Sequence, residues 1–182
     1  MRREHLEHVI RAAADVAGDA DIIVVGSQAI LGSFPGAPPA LLVSQEADVF
    51  PRNHPERAIA IDGSLGDGSM FHETFGYYAH GVGPETPKAP EGWHERLVAL
   101  RVETGGGGSV TGWCMEAHDV VLAKCAAGRE RDWAYAETAI RAGLVDTAEL
   151  ARRVATLPLK VRDVAHVRRM LAGIVERVRS RA

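Results

Sequence analysis

The chain has 182 residues, room for one domain or for one domain with a helical extension. Hydrophobic residues make up 46% of it, enough for a real core, and no stretch approaches the ~18 uninterrupted apolar residues of a membrane helix. The net charge of −3 hides an asymmetry: from Ala151 onward nine Arg or Lys stand against Asp163 and Glu176, +7, so residues 1–150 carry −10.

An acidic body with a basic helical tail is the pattern expected of a tail that meets a polyanion such as RNA. A solvated, Arg-rich helix face gives the same count. The N-terminus, Met1-Arg2-Arg3-Glu4-His5, turns amphipathic at once and has no apolar leader, so a cytoplasmic location is expected. Cys114 and Cys125 form no CxxC and are expected as buried free thiols.

Along the chain, Leu6, Val9, Ile10, Ala13, Val16 and Ala17 recur at three and four, which predicts a helix over 3–17 stopped by Gly18. Asp21 to Val25 reads as an apolar strand, breaking at Gly26-Ser27 into the helix-like Gln28-Ala29-Ile30-Leu31. Free N–H groups at such a turn hold phosphate oxygens, although a small-residue turn from strand to helix is common in any α/β protein. Ser33 to Pro39 must be a loop. It leads through Leu41-Leu42-Val43 to the strand Ser44-Gln45-Glu46-Ala47-Asp48-Val49-Phe50-Pro51. Side chains at i and i+2 of a strand share a face, so Glu46 and Asp48 can reach one cation.

Pro55 to Asp62 suits a helix with proline in its first turn. Residues 63–77, rich in glycine and aromatics, read as a structured loop before a strand over 77–82. His72-Glu73 begins like the zinc-protease HExxH, but Gly76 stands at the fifth position and that reading fails. His72 and His80 are candidates for residues near a substrate, with a structural role as the alternative. A second proline-rich loop covers 84–92. Strands over 97–102 and 110–115 flank the four glycines 105–108, which lack a following Gly-Lys-Ser/Thr and form a hairpin tip. Glu103 is a candidate third carboxylate for the cation, or a surface residue at the strand end.

From Glu116 the composition turns helical: 116–127 closed by Gly128, 129–142 closed by Gly143, a helix capped by Asp146 with Glu149 three on, and a long helix over 160–179. The expected architecture is α/β (α+β): a mixed sheet flanked by helices over 1–115, then a helical region over 116–182 packed on it.

A strand, a small-residue turn into a helix, then a paired-acid strand resembles the nucleotidyltransferase (polymerase-beta-like) superfamily. The segment Asp119-Val-Val-Leu-Ala-Lys124-Cys-Ala-Ala-Gly128-Arg129-Glu-Arg131-Asp132 looks like the helix pair of AbiEii-type and MenT-type nucleotidyltransferase toxins. Further stretches resemble a family of uncharacterised bacterial proteins assigned to that superfamily: Ser44-x-Glu46-Ala-Asp48-Val-x-Pro51, Phe71-His72-x-Thr74-Phe75-Gly76-Tyr77-Tyr78 and Gly92-Trp93-x-x-Arg96-Leu97-Val98. Together they cover roughly residues 20–145. Two features depart from the pattern. About twenty residues separate Gly26-Ser27 from the acids, which implies an inserted loop, and the first acid is Glu46 where Asp is commoner.

The resemblance implies transfer of NMP from an NTP to an acceptor, with Mg²⁺ (or Mn²⁺) on Glu46 and Asp48. Mg²⁺ is usually held by one or two carboxylates together with substrate phosphates. Lys124 would contact the nucleotide phosphates, Gly26 and Ser27 would seat a phosphate, and Asp132 would orient Lys124 or the acceptor. The expected acceptor is tRNA or another RNA held by the basic C-terminal helix, in a toxin-like enzyme with an antitoxin partner. The alternatives are a catalytically degenerate binding module or toxin–antitoxin component, and transfer to a protein hydroxyl or a small molecule. On the plain structural alternative, Glu46 and Asp48 are a polar strand face and Lys124–Asp132 is a salt bridge fixing two helices.

Overall fold

The computed structural model describes residues 1–180. Helix α1 (Arg3–Ala17) buries Leu6, Val9, Ile10, Ala13, Ala14 and Ala17 along one side, and Gly18 ends it in the left-handed conformation at φ 60°. Strand β1 (Asp21–Val25) follows, then a 3-10 turn Ser27–Ala29, a short α2 (Ile30–Ser33) and β2 (Glu46–Pro51). The 3-10 turn Pro55–Arg57 runs into α3 (Ala58–Leu65), followed by α4 (Met70–Phe75), β3 (Tyr78–Gly81), β4 (Val98–Glu103) and β5 (Ser109–Cys114). The last four helices are α5 (Ala117–Ala127), α6 (Glu130–Arg141), α7 (Thr147–Arg153) and α8 (Val161–Arg179).

Two expectations are corrected. Residues 63–77 are largely helical, because the Ser69 hydroxyl caps α4 by accepting from the His72 N–H at 3.2 Å and Gly76, at φ 73°, closes it. Of the glycines that suggested a loop, Gly63 lies inside α3, Gly66 and Gly68 separate the two short helices, and Gly76 follows α4. Leu41 ends a 3-10 turn, Pro39–Leu41, and β2 begins only at Glu46.

The sheet is mixed, in the order β3-β2-β1-β5-β4, with β1 antiparallel to β2 and parallel to β5. β2 and β3 run parallel; β4 and β5 form the antiparallel hairpin. The register sorts the side chains. Ile22, Val24, Ala47, Val49 and Ala79 share one face, which α1 and α3 cover: Ile10 of α1 abuts Gly112, and the Ala58 carbonyl of α3 lies against Gly81. Glu46, Asp48, Tyr78 and His80 lie on the opposite face, at the end where β1 finishes and β2 starts.

The C-terminal helices share the sheet's core. Val120, Val121, Leu122, Ala136, Leu150, Leu171 and Ile174 belong to the same buried cluster as Ile22 and Val24. A buried ion-pair node reinforces the junction. Asp119 accepts from Arg96 Nε (2.8 Å) and Nη2 (3.1 Å) and from Arg153 Nη1 (3.1 Å), joining the 3-10 turn Trp93–Arg96, α5 and α7. Arg153 also donates to Glu116 (2.6 Å), and Glu116 is held down at about 2: its burial works the other way, but His118 and Arg153 prevail.

Both cysteines are buried and free, and burial pushes each thiol up to about 12. Among the described residues no helix is long and apolar enough to cross a membrane. Arg181, counted in the basic tail, lies outside the described residues.

Candidate functional site

Glu46 and Asp48 stand on one face of β2, and a third residue joins them from β3. Parallel pairing sets His80 directly opposite Asp48 and Tyr78 opposite Glu46. His80 Nδ1 lies 3.1 Å from Glu46 Oε1 and 3.0 Å from Asp48 Oδ1, so one nitrogen faces both acids. Tyr78 Oη donates to Glu46 Oε2 at 3.1 Å, orienting that carboxylate from its other oxygen.

The electrostatics follow from this crowding. Burial, together with the neighbouring Glu46 carboxyl, pushes Asp48 up to about 6 against the opposing pull of His80. For Glu46, burial works upward, but hydrogen bonds from Asp48 and Tyr78 and the charge of His80 bring it below the usual carboxylate range. His80 is raised: burial opposes its charge, and the two acids outweigh burial. Tyr78 is pushed up to about 12 by burial and by Glu46. Two acids this close favour a positive partner between them, and the His80 imidazole, when protonated, fills that part.

The turn after β1 closes the site from one side. Gly26, at φ 69°, passes so close to Asp48 that a Cβ there would sit 2.2 Å from Oδ2. The next carbonyl, of Ser27, accepts from Tyr135 Oη on α6 at 2.9 Å. Lys124 Nζ lies 5.8 Å from the centroid of the Tyr135 ring and 3.5 Å from Asp132 Oδ1. The strand acids thus meet the Gly26-Ser27 turn, the turn meets Tyr135, and Lys124 lies to the side of the Tyr135 ring. Lys124 pairs with Asp132 rather than with the strand acids. Asp132 is 2% exposed and also accepts from the Arg129 N–H at 3.3 Å, capping α6.

Glu103 is not at this site. It ends β4 whereas Glu46 begins β2, the two strands run in the same direction, and two strands lie between them. Three strand spacings amount to about 14 Å, and the exposed Glu103 carboxylate pairs instead with Arg101 at 3.3 Å. His72 lies nearby, its ring 4.7 Å from that of Tyr78, but its Nδ1 pairs with Asp67 at 3.0 Å. The place of His80 follows from parallel pairing of β2 with β3, a long-range register that hydrophobic pattern alone does not encode.

The donor set fits a divalent cation. One atom each from Glu46, Asp48 and His80 lie within 4.8 Å of one another, and they are the only group of three or more His, Cys, Asp or Glu so arranged among the described residues. Neighbouring ligands of an octahedral Mg²⁺-sized ion stand about 3 Å apart, close to the two nitrogen–oxygen distances found here.

A family model described as "Nucleotidyltransferase of unknown function (DUF6036)" matches residues 4–174. No curated protein and no solved structure matches the chain.

Proposed function

The chain belongs to the family described as nucleotidyltransferases of unknown function (DUF6036), and on that premise we propose that it transfers NMP from an NTP to an acceptor hydroxyl, releasing pyrophosphate. The observation that carries the reading is the paired placement of Glu46 and Asp48 on one strand face beside the Gly26-Ser27 turn. Glu46 and Asp48 would hold a divalent cation, Mg²⁺ or Mn²⁺, that neutralises charge on the triphosphate and the departing pyrophosphate.

The rest falls to the protein. Gly26 brings the backbone of the turn against Asp48 because it has no side chain, so the turn and the acid would face the same phosphate. Lys124 supplies a fixed positive charge along the wall that leads from that turn, the electrostatic contribution that dominates phosphoryl-type transfers. Asp132 orients Lys124 through their ion pair. Tyr78 fixes the Glu46 carboxylate.

The acceptor we assign is RNA, tRNA included, met by exposed arginines of α8 such as Arg168 and Arg169. The likeness of Asp119–Asp132 to AbiEii-type and MenT-type toxins supports a toxin-like enzyme with an antitoxin protein as partner. One observation favours a second reading. The ion pair of Lys124 with Asp132 is what a degenerate site kept as a binding module would retain.

Labelled NTPs, a divalent cation and total RNA, incubated with the purified chain, separate these readings. Label transfer that disappears in Asp48→Ala supports the enzyme. NTP binding without transfer supports the binding module, and neither binding nor transfer rejects both.

A further inference from the structure

A site made only of carboxylates suits abundant Mg²⁺, a hard ion that takes oxygen ligands and keeps its waters. This site is not made only of carboxylates. His80 enters from the neighbouring strand, and the nitrogen it offers is the one that faces both acids, at 3.1 and 3.0 Å. Its backbone is fixed opposite Asp48 by the β2–β3 ladder, so the imidazole is placed by the sheet rather than by a loop. The side chain is half exposed, and among the described residues it pairs with no acid other than Glu46 and Asp48.

We propose that His80 is the third ligand of this cation seat and that its imidazole selects a first-row transition-metal dication over Mg²⁺. The inference rests on the reading of Glu46 and Asp48 as ligands and extends it to the identity of the ion. Two carboxylate oxygens and one imidazole nitrogen make a mixed donor set. Divalent ions of the first transition row accept nitrogen ligands, with affinity rising from Mn²⁺ onward, whereas Mg²⁺ gains little from replacing water by imidazole. A neutral imidazole would leave the seat one charge less negative than a third carboxylate would.

Mn²⁺ is the probe, because it is paramagnetic and reports its ligand nuclei without any turnover. The full chain, stripped of metal, is titrated with Mn²⁺ in the absence of nucleotide, and pulsed EPR is recorded on the bound ion. The expected result is a ¹⁴N coupling of a directly bound imidazole, present in the wild type and lost in both His80→Asp and His80→Ala. Outer-shell partners of metal ligands are themselves worth about 10–100-fold in affinity. His80→Ala is therefore expected to weaken Mn²⁺ at least about tenfold, and His80→Asp to lower the ratio of Mn²⁺ to Mg²⁺ affinity by a similar factor. Circular dichroism and thermal melts establish that both variants fold. Mn²⁺ bound with no ¹⁴N coupling, or an unchanged Mn²⁺/Mg²⁺ ratio in His80→Asp, overturns the inference and leaves the carboxylate seat standing. No Mn²⁺ bound at millimolar ion overturns the inference and the cation seat together. Nitrogen-coupled Mn²⁺ in a protein that transfers no label upholds the inference while rejecting the enzyme.

Discussion

Gly26 and Asp48 are in contact across the end of β1, with room for a hydrogen on Gly26 and for nothing larger: an added Cβ would sit 2.2 Å from Asp48 Oδ2. Gly26 also holds φ 69°, a conformation that L side chains rarely adopt. Gly26→Ala is expected to lower stability by about 1–2 kcal/mol from backbone strain alone. It should also displace the Asp48 carboxylate, so the loss in cation affinity is expected to exceed that of a stability-matched variant elsewhere. Urea melts and Mn²⁺ titration check the two effects separately; a Gly26→Ala chain with unaltered cation affinity would remove the turn from the site.

The raised pKa of Asp48 carries a stability signature in divalent-free buffer. Burial and Glu46 place it at about 6 when folded, above the ordinary carboxylate value of the unfolded chain. Between those values the folded state binds more protons than the unfolded state, so this contribution falls as pH rises through about 4 to 6. His80, raised in the same cluster, adds a loss in the same direction above its ordinary value. Asp48→Asn should therefore gain stability over the wild type as pH rises from 4 to 7, by on the order of 2 kcal/mol. A constant difference between the two chains across that range would contradict the crowded-acid picture.

Asp119 is expected to matter for folding and not for transfer. Its carboxylate is fully buried and takes hydrogen bonds from Arg96 and Arg153. Asp119→Ala leaves Arg153 with Glu116 and Glu149 and Arg96 with only the Pro90 and Glu91 carbonyls, a change expected to cost about 1–3 kcal/mol. Denaturant unfolding measures it. Replacing all three residues by apolar ones of similar volume should recover much of the loss.

Much of this architecture was legible in the chain. The periodicity of Leu6 to Ala17, the apolar run Ile22 to Val25, the four-glycine hairpin tip and the Asp146 cap each state a local rule that the fold obeys, and Asp146 does accept from the Glu149 N–H at 2.8 Å. The i, i+2 spacing of Glu46 and Asp48 likewise needs only a strand to put both on one face. What local rules do not contain is which strands become neighbours. Glu103 looked available as a third ligand because strand order was unknown, and it ended on the far edge. His80 became the third donor through a pairing made thirty-odd residues away in sequence, between β2 and β3. Helix α4 is hidden in the sequence because Gly66 ends α3 and Gly76 ends α4, so two short helices share a stretch whose glycines also suit a loop.

The basic tail makes a separate prediction. Part of its charge is spent inside the protein, since Arg153 pairs with Glu116 and Asp119 and Arg177 pairs with Glu137 at 3.3 Å. Arg168 and Arg169 are exposed on α8. Arg168→Glu with Arg169→Glu should weaken binding to single-stranded RNA and flatten the plot of log affinity against log salt by about 1.4. Identical slopes would reject α8 as the RNA contact without touching the nucleotide site.

The central claim is that the acids of β2 and Lys124 of α5 serve one cation-bound nucleotide, and calorimetric NTP titration with and without a divalent cation tests it most directly. The account predicts that the cation tightens NTP binding at least about tenfold in the wild type, worth roughly 1.4 kcal/mol. That coupling should vanish in Asp48→Asn, and Lys124→Met should weaken NTP whether or not the cation is present. NTP affinity indifferent to the cation, or undiminished in Lys124→Met, would contradict the claim.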